Sequence, residues 1–201
     1  MRKLTPGRLL FATHNAGKLD EMKGLLGPKG FELVRAADFD LPEPIEDGTT
    51  FVENARIKAH AAAKATGLIA LSDDSGIEID GLGGQPGVYT ADWAETPSGR
   101  DFVMAMNKAH DMLVERNIPK PWTARFCCTL VLAWPNGEDE VFEGKVEGHL
   151  TWPMRGTQGH GYDPCFLPNG YNITFAEMES AEKNKISHRS EALAKFAAAL
   201  L

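Results

Sequence analysis

Apolar and polar residues alternate along the chain in short segments that predict strands and helices in turn. Apolar runs of about four residues bounded by turn formers are typical of buried strands, and apolar residues three or four positions apart are typical of helices. Predicted strands cover 9–12, 31–34, 68–71, 124–134, 140–151 and 165–167, and predicted helices cover 19–26, 50–66, 102–113 and 187–201. Ser98 with Asp101 resembles a capping box for the third helix, and Asn136-Gly137 predicts a hairpin turn.

Strands that alternate with helices, together with one hairpin, predict an α/β fold with a mixed β-sheet. Polar loops follow several strands, which is where α/β folds place ligands. The sequence contains no internal repeat, low-complexity tract or flexible linker. Its 201 residues therefore predict one large domain, or two joined lobes that share a core.

The composition limits what the protein binds. The formal net charge is −7, so a broad basic surface that coats nucleic acid is not expected. The three cysteines include an adjacent pair, which does not fit a disulfide framework and favours reduced thiols in the cytoplasm. The apolar run at 9–12 is too short for a signal peptide or a membrane span. We therefore expect a cytoplasmic protein that binds neither nucleic acid nor a membrane.

The first motif with chemical potential is Thr13-His14-Asn15-Ala16-Gly17-Lys18, which follows a predicted strand and opens a helix. Backbone N–H groups and the dipole at a helix start favour an anion, and Lys18 adds a point charge suited to phosphate. The spaced glycines of a Walker P-loop are missing. A helix start of this composition also fits a purely structural role, so both interpretations stay open.

The second motif is Asp73-Asp74-Ser75-Gly76, predicted as a tight turn after an apolar strand. Two adjacent carboxylates repel each other and favour a hard cation with oxygen ligands, such as Mg²⁺. The acidic loop at 41–48 contains Glu46 and Asp47, either of which adds a carboxylate if the loop folds nearby. The alternative is a capped turn with both acids in water. An aspartic protease is excluded, because it needs a second Asp-Ser/Thr-Gly triplet that this chain lacks.

Two further motifs contain candidate ligand-binding groups. In Gly159-His160-Gly161-Tyr162-Asp163, the glycines permit close approach of the backbone to a flat ligand, and the tyrosine can stack on a base. Within 182–189, Lys183 and Arg189 are natural donors to a phosphate or a base. The alternatives are a loop histidine beside a core tyrosine, and a run of solvated charges.

Six segments, taken in order, resemble the inosine-triphosphate pyrophosphatase family, whose members act on non-canonical purine nucleotides. The resemblance covers nearly the whole chain, and the order of the segments makes it specific, since each segment alone is weak. The segments are ATHNAGK at 12–18, TFVENA at 50–55, DDSG at 73–76, LGGQPGVY at 82–89, GYDP at 161–164 and ISHR at 186–189.

The resemblance implies a single domain over 1–201 with an elongated, two-lobed α/β fold. It also implies a long central mixed sheet flanked by helices, a substrate cleft between the lobes, and a homodimer. The implied activity is Mg²⁺-dependent hydrolysis of ITP, dITP and XTP to the monophosphate and diphosphate, which removes deaminated purines from the nucleotide pool.

Roles follow from the resemblance position by position. Asp74 is the implied catalytic carboxylate and a metal ligand, and Glu46 is the implied second metal ligand. The implied substrate-binding residues are Thr13, His14, Asn15, Ala16, Gly17, Lys18, Ser75, His160, Gly161, Tyr162, Asp163, Lys183, His188 and Arg189.

The chain departs from the family pattern at two of these positions. Many relatives have two consecutive acids where this chain has Ile45-Glu46, so one possible metal ligand is missing. The usual residue at position 160 is glycine or phenylalanine, so the family defines no role for the His160 side chain. Two other functions stay open on the sequence: a pyrophosphatase for pyrimidine or modified nucleotides, and a sensor that binds purine triphosphates without hydrolysing them.

Overall fold

The computed structural model describes residues 3–13 and 16–201 of the chain. The helices are α1 (Ala16–Leu26), α2 (Phe51–Thr66), α3 (Phe102–Glu115), α4 (Ser180–Ile186) and α5 (His188–Leu200). The strands are β1 (Arg8–Phe11), β2 (Glu32–Arg35), β3 (Ala70–Ile79), β4 (Glu95–Thr96), β5 (Gly99–Arg100), β6 (Trp122–Ala133), β7 (Asp139–Leu150) and β8 (Phe166–Pro168). Among the described residues, no helix has the length and apolar character needed to cross a membrane.

Six of the strands form one mixed sheet in the order β2-β1-β3-β6-β7-β8. Strand β1 runs parallel to both β2 and β3, whereas β8 runs antiparallel to β7. The predicted hairpin turn joins β6 to β7, and in it the Gly137 N–H donates to the carbonyl of Trp134 at 3.0 Å. The α/β fold with a mixed central sheet flanked by helices is therefore confirmed.

The chain divides into two compact units. Unit 1 consists of Met1–Asp74, Thr129–Glu143 and Ala192–Leu201, and unit 2 consists of Ser75–Cys128 and Gly144–Glu191. A buried cluster in unit 1 is rich in alanine and includes residues of β1, β2, α2, β3 and β6. The buried cluster of unit 2 contains larger side chains, including several phenylalanines and Trp122. Each unit thus has a hydrophobic core of its own, and the expectation of one two-lobed domain stays a prediction.

Helix α2 confirms the helix predicted at 50–66. The Thr50 hydroxyl accepts a hydrogen bond from the Glu53 N–H at 3.1 Å, and the Glu53 carboxylate accepts one from the Thr50 N–H at 3.2 Å. These reciprocal bonds are a capping box, which satisfies backbone donors at the start of the helix. At the other end, Gly67 adopts a left-handed conformation with φ 70° and terminates the helix.

The tight turn predicted at Asp73-Asp74-Ser75-Gly76 is wrong, because these residues lie inside β3. Ile77 and Ile79 are fully buried and continue the period-two pattern of Leu71 beyond the acidic pair. Successive side chains of a strand point to opposite faces of the sheet. The two aspartates therefore face different surroundings, and a turn that holds both carboxylates side by side does not exist.

The residues at the starts of α3 and α5 were only partly predicted from the sequence. Helix α3 is capped by Asp101, whose carboxylate accepts from the Met104 N–H at 3.0 Å, whereas Ser98 lies between β4 and β5. The final helix is confirmed as α5, and the Ser187 hydroxyl accepts from the Ser190 N–H at 3.2 Å at its start. The short helix α4 before it was not predicted from the sequence.

Asp139, the first residue of β7, joins this strand to α2 within unit 1. Its carboxylate accepts two bonds from the Arg56 guanidinium at 3.0 and 3.1 Å and lies 2.8 Å from Nε2 of His60. Burial raises the pKa of this carboxyl, but the bonds to Arg56 and His60 outweigh it, so the net pKa is lowered. Arg56 and His60 are four residues apart and lie on one face of the helix.

We expect Asp139→Asn to lower the free energy of unfolding near neutral pH by about 1 kcal/mol or more, because charged hydrogen bonds to Arg56 and His60 are weakened. A carboxyl group with a lowered folded-state pKa stabilises the fold above its unfolded pKa of about 3.9. That stabilisation is lost as the pH falls through the folded pKa. The difference between variant and wild type, measured by urea unfolding at a series of pH values, should therefore shrink in acid.

The control for this series is Asp20→Asn, which alters an exposed aspartate of α1. Its effect on the free energy of unfolding should stay small throughout. A difference for Asp139→Asn that is constant between neutral and acidic pH would contradict the stabilising role of its charge.

Candidate functional site

The first predicted site residue with a clear partner is Lys18, on α1 of unit 1. Its ammonium group forms a short ion pair with Oδ2 of Asp73 on β3, 55 residues away in sequence. The Asp73 side chain is only 4% exposed. A buried carboxylate is costly without a cation or hydrogen-bond donors. Lys18 therefore balances the charge of Asp73.

A second lysine of unit 1, Lys58 on α2, was not predicted from the sequence. Its Nζ lies 2.5 Å from Oε1 of Glu46 and 3.9 Å from Oδ1 of Asp74. Burial lowers the pKa of this ammonium, but the negative charges of Asp73 and Asp74 and the hydrogen bond to Glu46 outweigh burial and raise it. Lys58 is therefore a positive charge that lies near both predicted metal ligands, Glu46 and Asp74.

The carboxylates of Glu46 and Asp74 fit a hard divalent cation. Both direct an oxygen atom at one positive group, and oxygen atoms are the ligands that Mg²⁺ prefers. In the described part of the chain, no cluster of three or more His, Cys, Asp or Glu residues could hold a metal ion. Mg²⁺ is typically bound by one or two carboxylates together with water and substrate phosphates, which agrees with a two-carboxylate site.

Part of the predicted phosphate-binding segment lies outside the described residues. His14 and Asn15 belong to that part, so their predicted roles stay predictions. On either side of them, Thr13 donates its N–H to the carbonyl of Phe11 at 2.9 Å, and α1 begins at Ala16 and continues through Gly17. The predicted sequence of strand, short connection and helix is therefore present around this segment.

In unit 2, three predicted site residues meet at the carboxylate of Asp163. Its Oδ2 accepts hydrogen bonds from the backbone N–H of His160 at 3.0 Å and from Nζ of Lys183 at 2.5 Å. The Asp163 side chain is buried, and Lys183 also lies 5.3 Å from the ring centroid of Phe175. One carboxylate thus holds both the loop at 159–163 and the ammonium group of α4.

Gly159 is required at the start of this loop. A Cβ atom at position 159 would lie 2.1 Å from Oδ2 of Asp163, and the backbone has φ 70°. The missing side chain therefore makes room for a carboxylate of the protein itself. The sequence alone predicts that the glycines here make room for a flat ligand, and the structure shows a different use for Gly159.

Tyr162 lies in the core of unit 2, with 1% of its surface exposed. Its ring packs edge-on against Phe102 at a centroid distance of 6.0 Å, and its hydroxyl donates to the carbonyl of Thr90 at 3.3 Å. Burial raises the pKa of this phenol. The sequence suggested that the ring stacks on a base. In the structure its ring packs against Phe102, and the contacts of Tyr162 with Phe102 and Thr90 anchor the loop at 159–163 to the core of unit 2.

Four predicted residues of unit 2 remain, which are Gly161, Ser75, His188 and Arg189. Gly161 has a left-handed φ of 64°. Ser75 is half-buried on β3, directly after Asp74. The His188 ring stacks on Phe126 at a centroid distance of 5.0 Å and an interplanar angle of 17°. Arg189 follows in the first turn of α5 and is half-buried. The segment around Ser187 therefore places a buried imidazole ring and a half-buried guanidinium group at a capped helix start.

Sequence reasoning missed Lys58, although a signal for it exists. Position 58 borders Ala55, Ala59 and Ala62, which form the predicted inner face of α2 and are buried. A lysine beside a buried helical stripe either extends its ammonium group to water or pairs it with a nearby acid. That argument identifies Lys58 as a candidate, but it does not say which acid is the partner.

Comparison with known proteins gives consistent results. The model of the Ham1 family matches residues 9–199. A protein named dITP/XTP pyrophosphatase from Ruegeria pomeroyi is 66% identical over 188 residues, which cover 94% of this chain and 92% of the relative. A dITP/XTP pyrophosphatase from Brucella melitensis is 56% identical over 208 residues, which cover 98% of this chain and 94% of the relative.

Solved structures agree with these relatives. The structure of a HAM1 protein from Coxiella burnetii is similar with a TM-score of 0.90 at 36% sequence identity, and the match covers 96% of this chain and 97% of that one. A nucleoside-triphosphatase (dITP/XTP pyrophosphatase) from Mycobacterium abscessus matches with a TM-score of 0.78 at 36% identity, covering 94% of this chain and 97% of that one.

Proposed function

The chain belongs to the Ham1 family, and on that basis we propose that it is a nucleoside-triphosphate pyrophosphatase. It hydrolyses the non-canonical purine nucleotides dITP, ITP and XTP between the α- and β-phosphates, which releases a monophosphate and diphosphate. The observation that best supports this function is the 66% identity with a dITP/XTP pyrophosphatase over nearly the full length of both chains. A chemical reason for this activity is that the carboxylates of Glu46 and Asp74 both lie near the Lys58 ammonium group.

We propose Mg²⁺ as the metal, with Asp74 and Glu46 as its protein ligands. Their oxygen atoms suit this ion, and both lie beside Lys58. When bound, the ion supplies positive charge that offsets the triphosphate and stabilises the diphosphate as it leaves. Lys58 already balances part of the negative charge of the three acids, so the site tolerates a carboxylate-rich environment when no substrate is bound.

Asp74 acts in this proposal as the general base. Its carboxylate orients a water molecule for in-line attack on the α-phosphorus and accepts a proton from that water. Residues 13–18 hold the phosphates through backbone N–H groups at the start of α1, and the Lys18 ammonium adds charge. The Lys18–Asp73 pair fixes that ammonium against β3, the strand on which Asp74 lies.

In this proposal the base is selected by residues of unit 2, namely Ser75, His160, Gly161, Lys183, His188 and Arg189. The buried Tyr162 and Asp163 hold the loop at 159–163 in place. Hypoxanthine and xanthine have an acceptor oxygen at position 6, whereas adenine has an amino donor there. A cationic donor such as Arg189 can donate a hydrogen bond to this oxygen. When adenine is bound, the same donor has no acceptor at position 6. Buried donors without acceptors are costly, so this contact discriminates strongly against ATP.

We also propose that the enzyme is a homodimer that works in the cytoplasm on free nucleotides. The family resemblance supports the dimer, and a net charge of −7 disfavours binding to nucleic acid. Removal of deaminated purines from the pool requires only the free triphosphate as substrate.

The test of the function is diphosphate release from a panel of nucleotides in the presence of Mg²⁺. We expect turnover of ITP, dITP and XTP to exceed that of ATP, GTP, dTTP and UTP, because only the first three present the deaminated purine. Highest turnover of dTTP or UTP would instead assign the enzyme to pyrimidine nucleotides. Tight binding of ITP without diphosphate release would identify a sensor, and either result would overturn the proposal.

Asp74→Asn should lower kcat for dITP by roughly 10²-fold or more, because the amide keeps the shape of the side chain but cannot accept a proton. Steady-state diphosphate release measures this effect, and thermal unfolding verifies that the variant is folded. Asp40→Asn makes the same chemical change at an exposed position and should leave kcat unchanged. Wild-type kcat in Asp74→Asn would transfer the role of general base to Asp73.

Arg189→Ala should reduce the preference for ITP over ATP, because the variant no longer has a guanidinium donor for the 6-oxo group. The ratio of kcat/KM for the two substrates gives the preference directly. Lys185→Ala removes an exposed cation from α4 and should leave this ratio unchanged. If Arg189→Ala keeps the wild-type ratio, another residue reads position 6 of the base.

A further inference from the structure

The position of Glu46 needs an explanation, because no regular secondary structure fixes it. The described residues 41–48 contain neither helix nor strand, and the Glu46 side chain is 41% exposed. Leu41 packs against the core of unit 1 at the start of this loop, but Ile45, the neighbour of Glu46, is 83% exposed, so core packing does not fix Glu46 itself. A carboxylate on such a loop binds a metal well only when specific contacts restrain the backbone.

Those contacts come from two side chains at the start of α2. The Gly48 N–H donates to Oδ1 of Asn54 at 2.8 Å. The next two amides, of Thr49 and Thr50, donate to Oε2 of Glu53 at 2.6 and 3.2 Å. Three consecutive N–H groups, which begin two residues after Glu46, are thus bound to neighbouring residues of one helix.

Gly48 allows the loop to come this close to the helix. A Cβ atom at position 48 would lie 2.6 Å from Oδ1 of Asn54 and 2.7 Å from Cβ of Glu53. Its φ angle is outside the left-handed region, so the need for glycine comes from the close approach and not from backbone strain. Any larger residue at this position must push the loop away from Asn54.

Asn54 and Lys58 restrain the same loop at two points. They are four residues apart on α2, so they lie on one face of the helix about one turn from each other. Asn54 binds the backbone at Gly48, and Lys58 binds the carboxylate of Glu46. The geometry of Glu46 relative to Asp74 is therefore set from one helix face.

Asn54 differs from an ordinary helix cap. The capping box of α2 consists of Thr50 and Glu53, and Asn54 follows it inside the helix. Asparagine is less favourable than alanine inside a helix, and this side chain is only 5% exposed. A buried, helix-disfavouring amide that binds an adjacent loop indicates a role in placing that loop.

We propose that Asn54 is a positioning residue for the metal site, which it serves by anchoring Gly48 so that Glu46 faces Asp74. Gly48 is the other half of this anchor. The inference rests on the proposed function to the extent that Glu46 and Asp74 are metal ligands. Neither Asn54 nor Gly48 contacts the metal or the substrate in this proposal.

The test compares four variants with the wild type: Asn54→Ala, Gly48→Ala, the double variant, and Thr50→Ala. Mn²⁺ binding without nucleotide, followed by electron paramagnetic resonance, gives the dissociation constant of the metal. Hydrogen–deuterium exchange of residues 46–50 reports the mobility of the loop. Thr50→Ala is the matched control, because it weakens the same end of α2 but keeps the bond between Gly48 and Asn54.

We expect Asn54→Ala and Gly48→Ala each to raise the Mn²⁺ dissociation constant by about 10-fold, as is typical when a residue that supports a metal ligand is removed. Both should speed exchange in the loop. The double variant should bind Mn²⁺ no more weakly than the single variants, since both substitutions disrupt the same contact between Gly48 and Asn54. Thr50→Ala should lower the midpoint of thermal unfolding but keep the Mn²⁺ affinity of the wild type.

Asn54→Asp provides a rescue variant, because a carboxylate oxygen can still accept the Gly48 N–H. It should bind Mn²⁺ far better than Asn54→Ala does, and it remains informative if Asn54→Ala is poorly folded. An Mn²⁺ affinity of Asn54→Ala equal to that of Thr50→Ala would overturn the positioning role.

The failure of the proposed function has a different signature. Wild-type protein that binds Mn²⁺ through this anchor but releases no diphosphate from dITP would leave the positioning role intact and overturn the activity. Wild-type protein that releases diphosphate but binds no Mn²⁺ without nucleotide would overturn the positioning role and leave the activity intact.

Discussion

The Asp73 side chain is 4% exposed, and a carboxylate at that depth is stable only when cations or hydrogen-bond donors replace the water it has lost. Lys18 meets this need directly, and Lys58 adds a second positive charge beside Asp73, Asp74 and Glu46. These three carboxylates can therefore lie close together, because the two ammonium groups offset their mutual repulsion. The same arrangement brings oxygen atoms of Glu46 and Asp74 to the single positive charge of Lys58.

In unit 2, the need of a buried carboxylate for a cation and hydrogen-bond donors shapes the loop at 159–163. Asp163 is buried, so its charge is balanced by Lys183 and its second donor is the His160 N–H. The backbone must bend closely around the carboxylate to make that bond, and only glycine fits at position 159. The glycine-rich appearance of this motif thus has an internal cause, and the conformation that it imposes determines which groups of the loop are left to meet a ligand.

Much of the fold could be predicted from the sequence. The helix at 50–66, the hairpin at Asn136-Gly137 and the mixed sheet follow from local signals such as a capping box, a turn dipeptide and apolar periodicity. The acidic pair was misjudged because two adjacent aspartates usually indicate a turn. In this structure Ile77 and Ile79 extend β3 past them, and burial of those side chains outweighs the local preference. The six family segments gave the correct family, since their order depends on the sequence alone.

The sequence by itself determined most of the secondary structure, the family and the types of side chain at the site, because each depends on residues close together in the chain or on their order. Only the tertiary structure decided which charges pair. Lys18 meets Asp73 from 55 residues away, and Lys183 meets Asp163 from 20 residues away. Lys58, Glu46 and Asp74 likewise come together from separate elements. Such pairs form because burial removes water from a carboxylate and requires a cation nearby, and which cation is nearby depends on how helices and strands pack.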